Sequence, residues 1–226
     1  MFRGRLRVSH YLEYGRCWAG FAIDLQVVSD TLTRMGVIRP ARPVNLICGL
    51  ISNDPDLMVR AVGLMSHYYG PTDEVSETWP FACTDYYELE MGEGLQRRFV
   101  SFERLIDPSE LVDTKILTND LEQRICRDCG LPEEQRRVNM DPGYVSLSKL
   151  VLATTKDYSH RIYLRSGIYA ESTLHYEHGR WVGWPWTYPD YADTRYHAFF
   201  VEVRERFKTK LTERDTPSSM SKGQAL

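Results

Sequence analysis

A short, strongly apolar run constrains the fold of this chain most. The run spans residues 44–51, follows Pro43 and is succeeded almost at once by Asp54-Pro55. An apolar run of this length predicts a β-strand, whereas Asp followed by Pro is typical of the first turn of a helix. Apolar residues at helical spacing then lead to a stop at Gly70-Pro71; they are Leu57, Met58, Ala61, Val62 and Met65. A strand followed directly by a helix is therefore predicted.

The middle of the chain continues this alternation. Strands are predicted near residues 74–79 and over residues 96–106. Asp107-Pro108-Ser109-Glu110 has the form of a capping box and predicts a long helix that ends near Gly130. With a short strand at Asn139, the order is strand, helix, strand, strand, helix, strand, which is typical of a ferredoxin-like βαββαβ core.

The remaining segments predict elements that extend this core. Residues 139–144 are rich in Asn, Asp, Pro and Gly and predict a turn, and residues 146–155 predict a short helix. Two β-hairpins follow, with loops at residues 165–167 and 178–179. A final helix is expected after Asp193, with an apolar face formed by Tyr196, Phe199, Phe200, Val203 and Phe207. The expected fold class is α+β, with C-terminal hairpins and a final helix added to the core.

One domain, residues 35–211, is expected. Residues 1–34 have no clear period and no capping signals, and the sequence restarts at Met35, so we interpret them as an over-extended N-terminus or a flexible lead. The alternative is an N-terminal helix over residues 8–32 that packs on the domain. Residues 212–226 are polar and predict a flexible tail.

Composition argues against several classes of protein. The chain has 28 basic and 31 acidic residues and a net charge of −3, so it lacks the positive charge of a non-specific nucleic-acid binder. No run approaches the roughly 20 apolar residues of a membrane helix, and no export signal is predicted, so a cytoplasmic location is expected. The five cysteines are irregularly spaced and predict no disulfide framework. Cys126 and Cys129 form a C-x-x-C pair without a second pair of ligands, so no metal site is expected.

Four long strings give the chain a specific resemblance. They are FACTDYYELEMG (81–92), RRFVSFERLIDPSELVDTKILTNDLE (97–122), VNMDPGYVSLSKLVLATTKDYSHRIYLRSGIYAESTLHY (138–176) and WPWTYPDY (184–191). On these strings, residues 44–207 resemble a bacterial and archaeal family known as domain of unknown function 4416. The resemblance implies no established activity. It does imply a start near Met35, where typical members begin.

The resemblance also brings a suggestion of GTP binding, which the residues do not support. A P-loop needs G-x-x-x-x-G-K-[ST] so that backbone amides and one lysine hold the phosphates, and this sequence contains no Gly-Lys dipeptide. Thr155-Lys156-Asp157 is similar to the guanine-reading [NT]-K-x-D motif but lacks its intervening residue. We therefore reject a GTPase fold.

The densest polar cluster lies between residues 139 and 171. Asp141, Asp157 and His160 are the candidate catalytic residues, because carboxylates and imidazoles act as general bases and acids. The carboxylates would also suit a hard cation, so magnesium is a possible cofactor. Cationic and polar side chains for an anionic ligand are Asn139, Tyr144, Lys149, Lys156, Arg161 and Glu171. Lys149 and Lys156 would share a face if residues 146–155 form a helix.

The same cluster also has a purely structural interpretation. With a hairpin loop at residues 165–167, Arg161 lies opposite Glu171, and the two would form a cross-strand pair. Asp141 and Asp157 would then cap helix ends and turns. Convergence of the cluster on one open pocket with unpaired charges would favour a ligand site, whereas mutual pairing in a closed core would favour structure.

Two further segments carry candidate sites. Asp85 and Glu88 lie in an acidic, tyrosine-rich loop, which is either a secondary ligand site or a solvated connection. Residues 184–191 are aromatic and stiffened by proline, and they would either stack nucleic-acid bases or cover a sheet edge.

The expected function follows from the first cluster. It is binding of a phosphorylated or anionic small molecule, such as a nucleotide, with catalysis left open. The alternative is a non-catalytic module that presents residues 184–191 to a protein or RNA partner. The sequence predicts no oligomeric state.

Overall fold

The computed structural model describes residues 38–83, 87–132 and 135–215, without the side chains of residues 88 and 89. The strands are β1 (Val44–Ser52), β2 (Thr72–Val75), β3 (Trp79–Pro80), β4 (Gln96–Ile106), β5 (Asn139–Val145), β6 (Lys149–Thr154), β7 (Ile162–Arg165), β8 (Ile168–Glu177) and β9 (Arg180–Gly183). The helices are α1 (Pro55–Tyr69), α2 (Glu88–Met91), α3 (Leu111–Asp128), α4 (Pro189–Ala192) and α5 (Thr194–Asp215), with a 3₁₀ turn at Pro108–Glu110.

The expected lead and tail fall largely outside the described part of the chain. Residues 1–34 lie outside it, so the interpretation of this segment stays a prediction. Helix α5 continues to Asp215, so residues 212–215 of the expected tail are helical, and residues 216–226 lie outside the description.

The nine strands form one sheet, in the order β2-β4-β1-β5-β6-β8-β7. Two short strands lie off this path, β3 beside β4 and β9 beside β8. All the ladders are antiparallel. The expected α+β class is therefore confirmed. The single strand expected near residues 74–79 is divided into β2 and β3.

Strand β1 is the centre of the molecule, and all nine of its residues are buried. Its side chains alternate between two cores because successive residues of a strand point to opposite faces. Leu46, Cys48 and Leu50 pack with α1 and α3, whereas Ile47 packs with the aromatic face of α5. Burial of each such large apolar side chain contributes about 1.5–3 kcal/mol relative to exposure. The apolar run at residues 44–51 is thus part of the strand that both core layers share.

The local signals at helix ends and at the second hairpin are confirmed, whereas the first hairpin has a loop of two residues and not the predicted three. The Asp54 side chain accepts hydrogen bonds from the first turn of α1, and the capping box at residues 107–110 is complete. The five apolar residues predicted for the last helix are all buried. The hairpin loops are Ser166-Gly167 and His178-Gly179, and all four residues have positive φ, as a two-residue hairpin loop favours.

The helix expected at residues 146–155 is wrong, because this segment is strand β6. Residues 150–153 are all buried, since β6 lies inside the sheet with helices on both faces. A strand buried on both faces shows no polar alternation, so its sequence cannot be told from a short helix by periodicity. Lys149 and Lys156 therefore do not share a helix face. They lie roughly 20 Å apart along extended chain.

The turn expected at residues 139–144 is also wrong, because this segment is strand β5. Gly143 is required there: a Cβ atom would lie 2.4 Å from the carbonyl oxygen of Val151 in the neighbouring strand. Pro142 has no N–H group, and pairing with β6 ends beside it, at Gly143. Turn-forming residues are thus used here to bring two strands close and then to end their ladder.

The sheet therefore forks where strands β5 and β6 separate. Strand β5 pairs with β1 at seven positions, Asn45–Ile51, but with β6 at three, Gly143–Val145. Beyond them, side chains from α3 replace the missing strand partner. Lys115 donates to the carbonyl oxygen of Met140 over 2.9 Å, and Glu122 accepts from the Met140 N–H over 2.6 Å. The backbone of Met140 is therefore satisfied although no β6 residue pairs with it.

Candidate functional site

A cavity of about 820 Å³ opens at the fork, and we call it the fork cavity. Segments from much of the fold contribute to its wall: the loop before α2, strand β4, helix α3, strands β5, β6 and β8, and the segment that includes α4. Its ionisable side chains, apart from tyrosine and cysteine, are Glu90, Arg97, Lys115, Glu122, Arg136, Asp141, Lys156, Glu171 and Asp190. Five of them are buried, namely Arg97, Lys115, Glu122, Glu171 and Asp190. Buried charged groups are uncommon in protein interiors and are candidates for function.

Four residues of the predicted cluster line the fork cavity, namely Asn139, Asp141, Lys156 and Glu171. Strand β5 carries the first two residues on the same face. Lys156 lies just after the end of β6, where it is exposed, and Glu171 is buried on β8. The sequence therefore identified one wall of the site, although it assigned the wrong secondary structure to that wall.

Asp141 is the carboxylate best placed in this wall. Its Oδ2 atom accepts hydrogen bonds from Asn139 Nδ2 over 2.7 Å and from Arg97 over 3.3 Å. Its Oδ1 atom lies 4.0 Å from Lys115 Nζ. The side chain is 23% exposed. Two groups, one amide and one guanidinium, thus hold one carboxylate oxygen, whereas the other oxygen has only the more distant ammonium group of Lys115 beside it.

Arg97 is a functional candidate that the sequence argument missed. Its guanidinium is 3% exposed and bridges Asp141 and Asp190. Burial by itself lowers the pKa of Arg97, but the neighbouring Asp190, Tyr191 and Asp141 outweigh it and raise the pKa. Gly49 makes room for this group, because a Cβ atom there would lie 2.8 Å from Arg97 NH1. A charged residue within a buried strand was the sequence signal that could have found Arg97.

Lys115 and Glu122 were missed as well. They lie seven residues apart on α3, which puts them on one face of the helix, and both are buried. Burial raises the pKa of Glu122, against the opposing effects of Lys115 and Arg136. Polar residues within the buried stripe of an amphipathic helix were the signal that would have found them.

Arg136 connects two more carboxylates to the cavity. Its guanidinium donates to Glu90 over 2.8 Å and to Glu122 over 3.2 Å, and it also donates to the Asn139 side chain over 2.8 Å. It lies 5.6 Å from the centre of the Tyr87 ring. Burial raises the pKa of Tyr87, and the nearby Asp141 adds to this effect.

His160 and Arg161 point to Glu171 rather than into the cavity. The distances to Glu171 Oε2 are 3.1 Å from His160 Nε2 and 2.8 Å from Arg161 Nε. The predicted pairing of Arg161 with Glu171 is therefore present. The predicted loop length was wrong, because Arg165 pairs with Ile168 and a register shift after Tyr163 restores the register. Arg161 also donates to the Tyr188 hydroxyl.

Three predicted ligand or catalytic residues lie away from the fork cavity. Lys149 is exposed at the opposite end of β6, beside His175. Asp157 is exposed after β6 and is not part of the cavity wall. Tyr144 packs between two apolar clusters, and burial raises its pKa. Of the secondary candidates, Asp85 and the side chain of Glu88 lie outside the described residues.

The aromatic segment at residues 184–187 covers a sheet edge. Strands β7 and β9 both flank β8, and between them Trp186 and Thr187 donate to the carbonyl oxygens of Ser172 and Thr173. The Trp186 ring stacks at 5.4 Å on Trp184 and at 5.5 Å on His160. This stacking occupies ring surface that a nucleic-acid base would need.

Some buried polar atoms without a hydrogen-bond partner belong to residues of the fork cavity. Among its described lining residues these atoms are Arg97 Nε, Arg136 Nε and the Tyr191 hydroxyl oxygen. No carboxylate oxygen of these lining residues is in the set. The unused hydrogen-bonding capacity of the buried wall is therefore mainly that of donors.

Two classes of site were not found in the described part of the chain. No group of three or more His, Cys, Asp or Glu side chains there is arranged to hold a metal ion. No described helix has the length and apolar character needed to cross a membrane. Cys126 is buried and Cys129 is exposed, and both are free thiols.

Comparison with known proteins gives one match. A family model described as domain of unknown function (DUF4416) matches residues 42–207, a range that contains every residue of the fork cavity named above. No curated protein and no solved structure matches the chain. The resemblance drawn from the four long strings is confirmed.

Proposed function

Because the chain belongs to the DUF4416 family, whose description states no activity, we propose a function from the fork cavity itself: it binds a small anionic molecule. The observation that supports this most is that the guanidinium groups of Arg97 and Arg136 belong to residues that line the cavity. Lys115 adds to it, since its ammonium group has three N–H donors and one hydrogen bond, to Met140. A phosphate or carboxylate supplies the acceptors that such groups need.

The net charge of the cavity wall does not by itself favour an anion. Four cationic and five carboxylate side chains line the cavity, and Arg161 behind Glu171 makes the numbers equal. The five carboxylates also have arginine partners, so an excess of unneutralised cations is not what favours an anion here. Selection of an anion instead depends on the N–H donors of Lys115 and the cavity arginines in a partly buried site, where hydrogen bonds to charged groups are strong.

A thermal-shift screen tests the proposal. Nucleotides, sugar phosphates, dicarboxylates and polyphosphate are added to the full chain, with and without magnesium. An anion at a hundred times its dissociation constant should stabilise the fold by roughly 2.7 kcal/mol. For a domain of this size the expected rise in melting temperature is about 5–11 °C.

Lys156 and Lys149 provide a matched pair of variants. Both are exposed and belong to one stretch of chain, but Lys156 is at the cavity and Lys149 is at the far end of β6. Lys156→Ala should reduce the thermal shift, and Lys149→Ala should leave it unchanged. Equal effects of the two substitutions, or no shift with any anion, would contradict the proposal.

Two exposed cysteines report independently on where the ligand binds. Cys83 lines the cavity, whereas Cys129 follows α3 and is not part of the cavity wall. Iodoacetamide labelling followed by peptide mass spectrometry should show that a stabilising anion slows alkylation of Cys83 but not of Cys129. Unchanged labelling of Cys83 would place the anion elsewhere.

The alternative function, an interaction module, has one observation in its favour. Trp184, Trp186 and Tyr188 are 37%, 40% and 41% exposed. The stacking of Trp186 between two rings counts against base stacking, so we rank this function second. Binding of labelled single-stranded RNA, measured by fluorescence anisotropy and abolished by Trp186→Ala, would reverse the ranking.

We also propose the ferredoxin-like topology and the cytoplasmic location. The order β2-β4-β1-β5, with α1 after β1 and α3 after β4, supports the topology. An experimental structure in which β5 did not lie beside β1 would contradict it. The free thiols of Cys48, Cys83, Cys126 and Cys129 support a reducing compartment, which cell fractionation tests.

A further inference from the structure

We infer that the anion bound in the fork cavity also carries a planar ring with an N–H donor, as nucleotides do. This inference rests on the proposed function and adds two contacts to it. The rings of Tyr87 and Tyr188 would contact the ring of the ligand, and the carboxylate of Asp141 would accept its N–H.

The size of the cavity calls for an organic ligand. Its volume of about 820 Å³ falls within the range of roughly 300–1,000 Å³ that is typical of sites for drug-sized molecules. A lone phosphate ion would fill a small part of that space. Most of the ligand must therefore be something other than its anionic group.

The wall offers an aromatic surface for that part. Phe81, Tyr87, Tyr188 and Tyr191 all line the cavity, and Tyr188 is still 41% exposed. An arginine accompanies each of two of these rings: Arg136 lies 5.6 Å from the ring centre of Tyr87, and Arg161 lies 5.9 Å from that of Tyr188. The exposed part of the Tyr188 ring is the surface that can stack against another ring.

The position of Asp141 indicates that the ring of the ligand carries a hydrogen-bond donor. An anion alone would be repelled by this carboxylate, which is partly exposed in the same cavity. Its Oδ2 atom is engaged by Asn139 and Arg97, but its Oδ1 atom accepts no hydrogen bond from the described residues. A ligand that presents an N–H group to Oδ1 and an anionic group to Lys115 or Arg136 satisfies both signs of charge. Nucleotides combine these features in one molecule.

Calorimetric titration of the full chain tests the inference with matched probes. Nucleoside 5′-monophosphates of the four common bases are compared with ribose 5-phosphate, the corresponding nucleosides and inorganic phosphate. We expect at least one monophosphate to bind about tenfold or more tightly than ribose 5-phosphate. If ribose 5-phosphate binds as tightly as every monophosphate, the inference is overturned while the proposed function stands. If no anion binds, both fail.

Substitutions then separate the two contacts. Tyr188→Phe keeps the ring and should keep most of the affinity, whereas Tyr188→Leu should lose about tenfold. Tyr163→Leu is the control, because Tyr163 is 57% exposed on β7 and is not part of the cavity wall. Equal affinity of the Phe and Leu variants of Tyr188 would overturn the ring contact.

Asp141→Asn tests the acceptor. It should weaken binding of the monophosphate and strengthen binding of ribose 5-phosphate, because the repelling charge is removed, so that the preference for the base shrinks. Equal weakening of both probes would overturn the role of Asp141. If this variant does not fold by circular dichroism, the Tyr188 pair and the probe series still decide the inference.

Discussion

Arg161 and Glu171 should behave in a double-mutant cycle as a buried ion pair. Their side chains are 7% and 1% exposed, and Arg161 Nε lies 2.8 Å from Glu171 Oε2. Replacing Glu171 by Met leaves the buried charge of Arg161 without its carboxylate, and replacing Arg161 by Met leaves Glu171 with His160 alone. Removing one partner of a buried ion pair typically costs about 3–5 kcal/mol, whereas replacing both leaves two apolar side chains of similar length. We therefore expect each single variant to be less stable than the double variant.

Chemical denaturation monitored by tryptophan fluorescence gives the three free energies of unfolding. At about 2–4 °C per kcal/mol for a domain of this size, each single variant should also melt roughly 6–20 °C lower. The pair Arg165–Asp113 is the control, because its side chains are 51% and 64% exposed. Its coupling energy should be no more than about 1 kcal/mol.

Additive effects at Arg161 and Glu171 would refute this reasoning. Coupling no larger than that of the control pair would do the same. In either case the buried contact of Arg161 with Glu171 would contribute no more than an exposed ion pair. His160, which lies 3.1 Å from Glu171, is left unchanged in all variants so that its contribution cancels.

Three further outcomes are expected. Gly143→Ala should destabilise strongly in urea denaturation, because a Cβ atom would lie 2.4 Å from a backbone oxygen of β6, whereas Gly63→Ala in α1, which meets nothing within 4 Å, should stabilise by about 0.4–1 kcal/mol. Lys210→Met should lower the melting temperature, because Lys210 Nζ lies 2.5 Å from the buried carboxylate of Asp73; an unchanged melting curve would show that this contact is unimportant. Burial raises the pKa of Glu122 in the folded state above its ordinary value of 4.5, so the contribution of Glu122 to stability is complete below pH 4.5 and is lost as pH rises. In a pH series of denaturation curves, Glu122→Gln should therefore reduce this loss of stability. Parallel pH dependence of the variant and the unchanged protein would contradict it.

Sequence reasoning predicted best where local chemistry decides structure. The Asp54 cap, the capping box at residues 107–110 and the buried face of α5 depend on residues within a turn or two of each other. Such interactions are specified by neighbours along the chain, so their pattern is visible without knowledge of the fold.

Prediction failed where distant partners decide. Pro142 and Gly143 are turn formers by local preference, but pairing with β1 holds them in a strand. Residues 150–153 are apolar without alternation because neighbouring strands and the layers on both faces bury them. Tertiary context overrides local preference at both places.

The candidate site shows the same division. Asn139, Asp141, Lys156 and Glu171 come from one segment rich in polar residues, and the sequence pointed to them. Arg97, Lys115 and Arg136 come from separate segments that meet because the sheet forks. A charged residue in a buried strand and two polar residues seven apart on a buried helix face would have indicated the first two.

The fork also determines how the two halves of the sheet are joined. Three rungs between β5 and β6 are the ladder that connects the half built on β1 to the half built on β8. Apolar packing bridges the same seam: Phe199 and Phe200 of α5 share a core with residues of both halves, and Leu111 and Val112 of α3 pack on β6 and β8. The two halves of the sheet are therefore joined by side-chain packing of helices α3 and α5 as well as by the short backbone ladder, so that loosening either helix would weaken the connection between the halves.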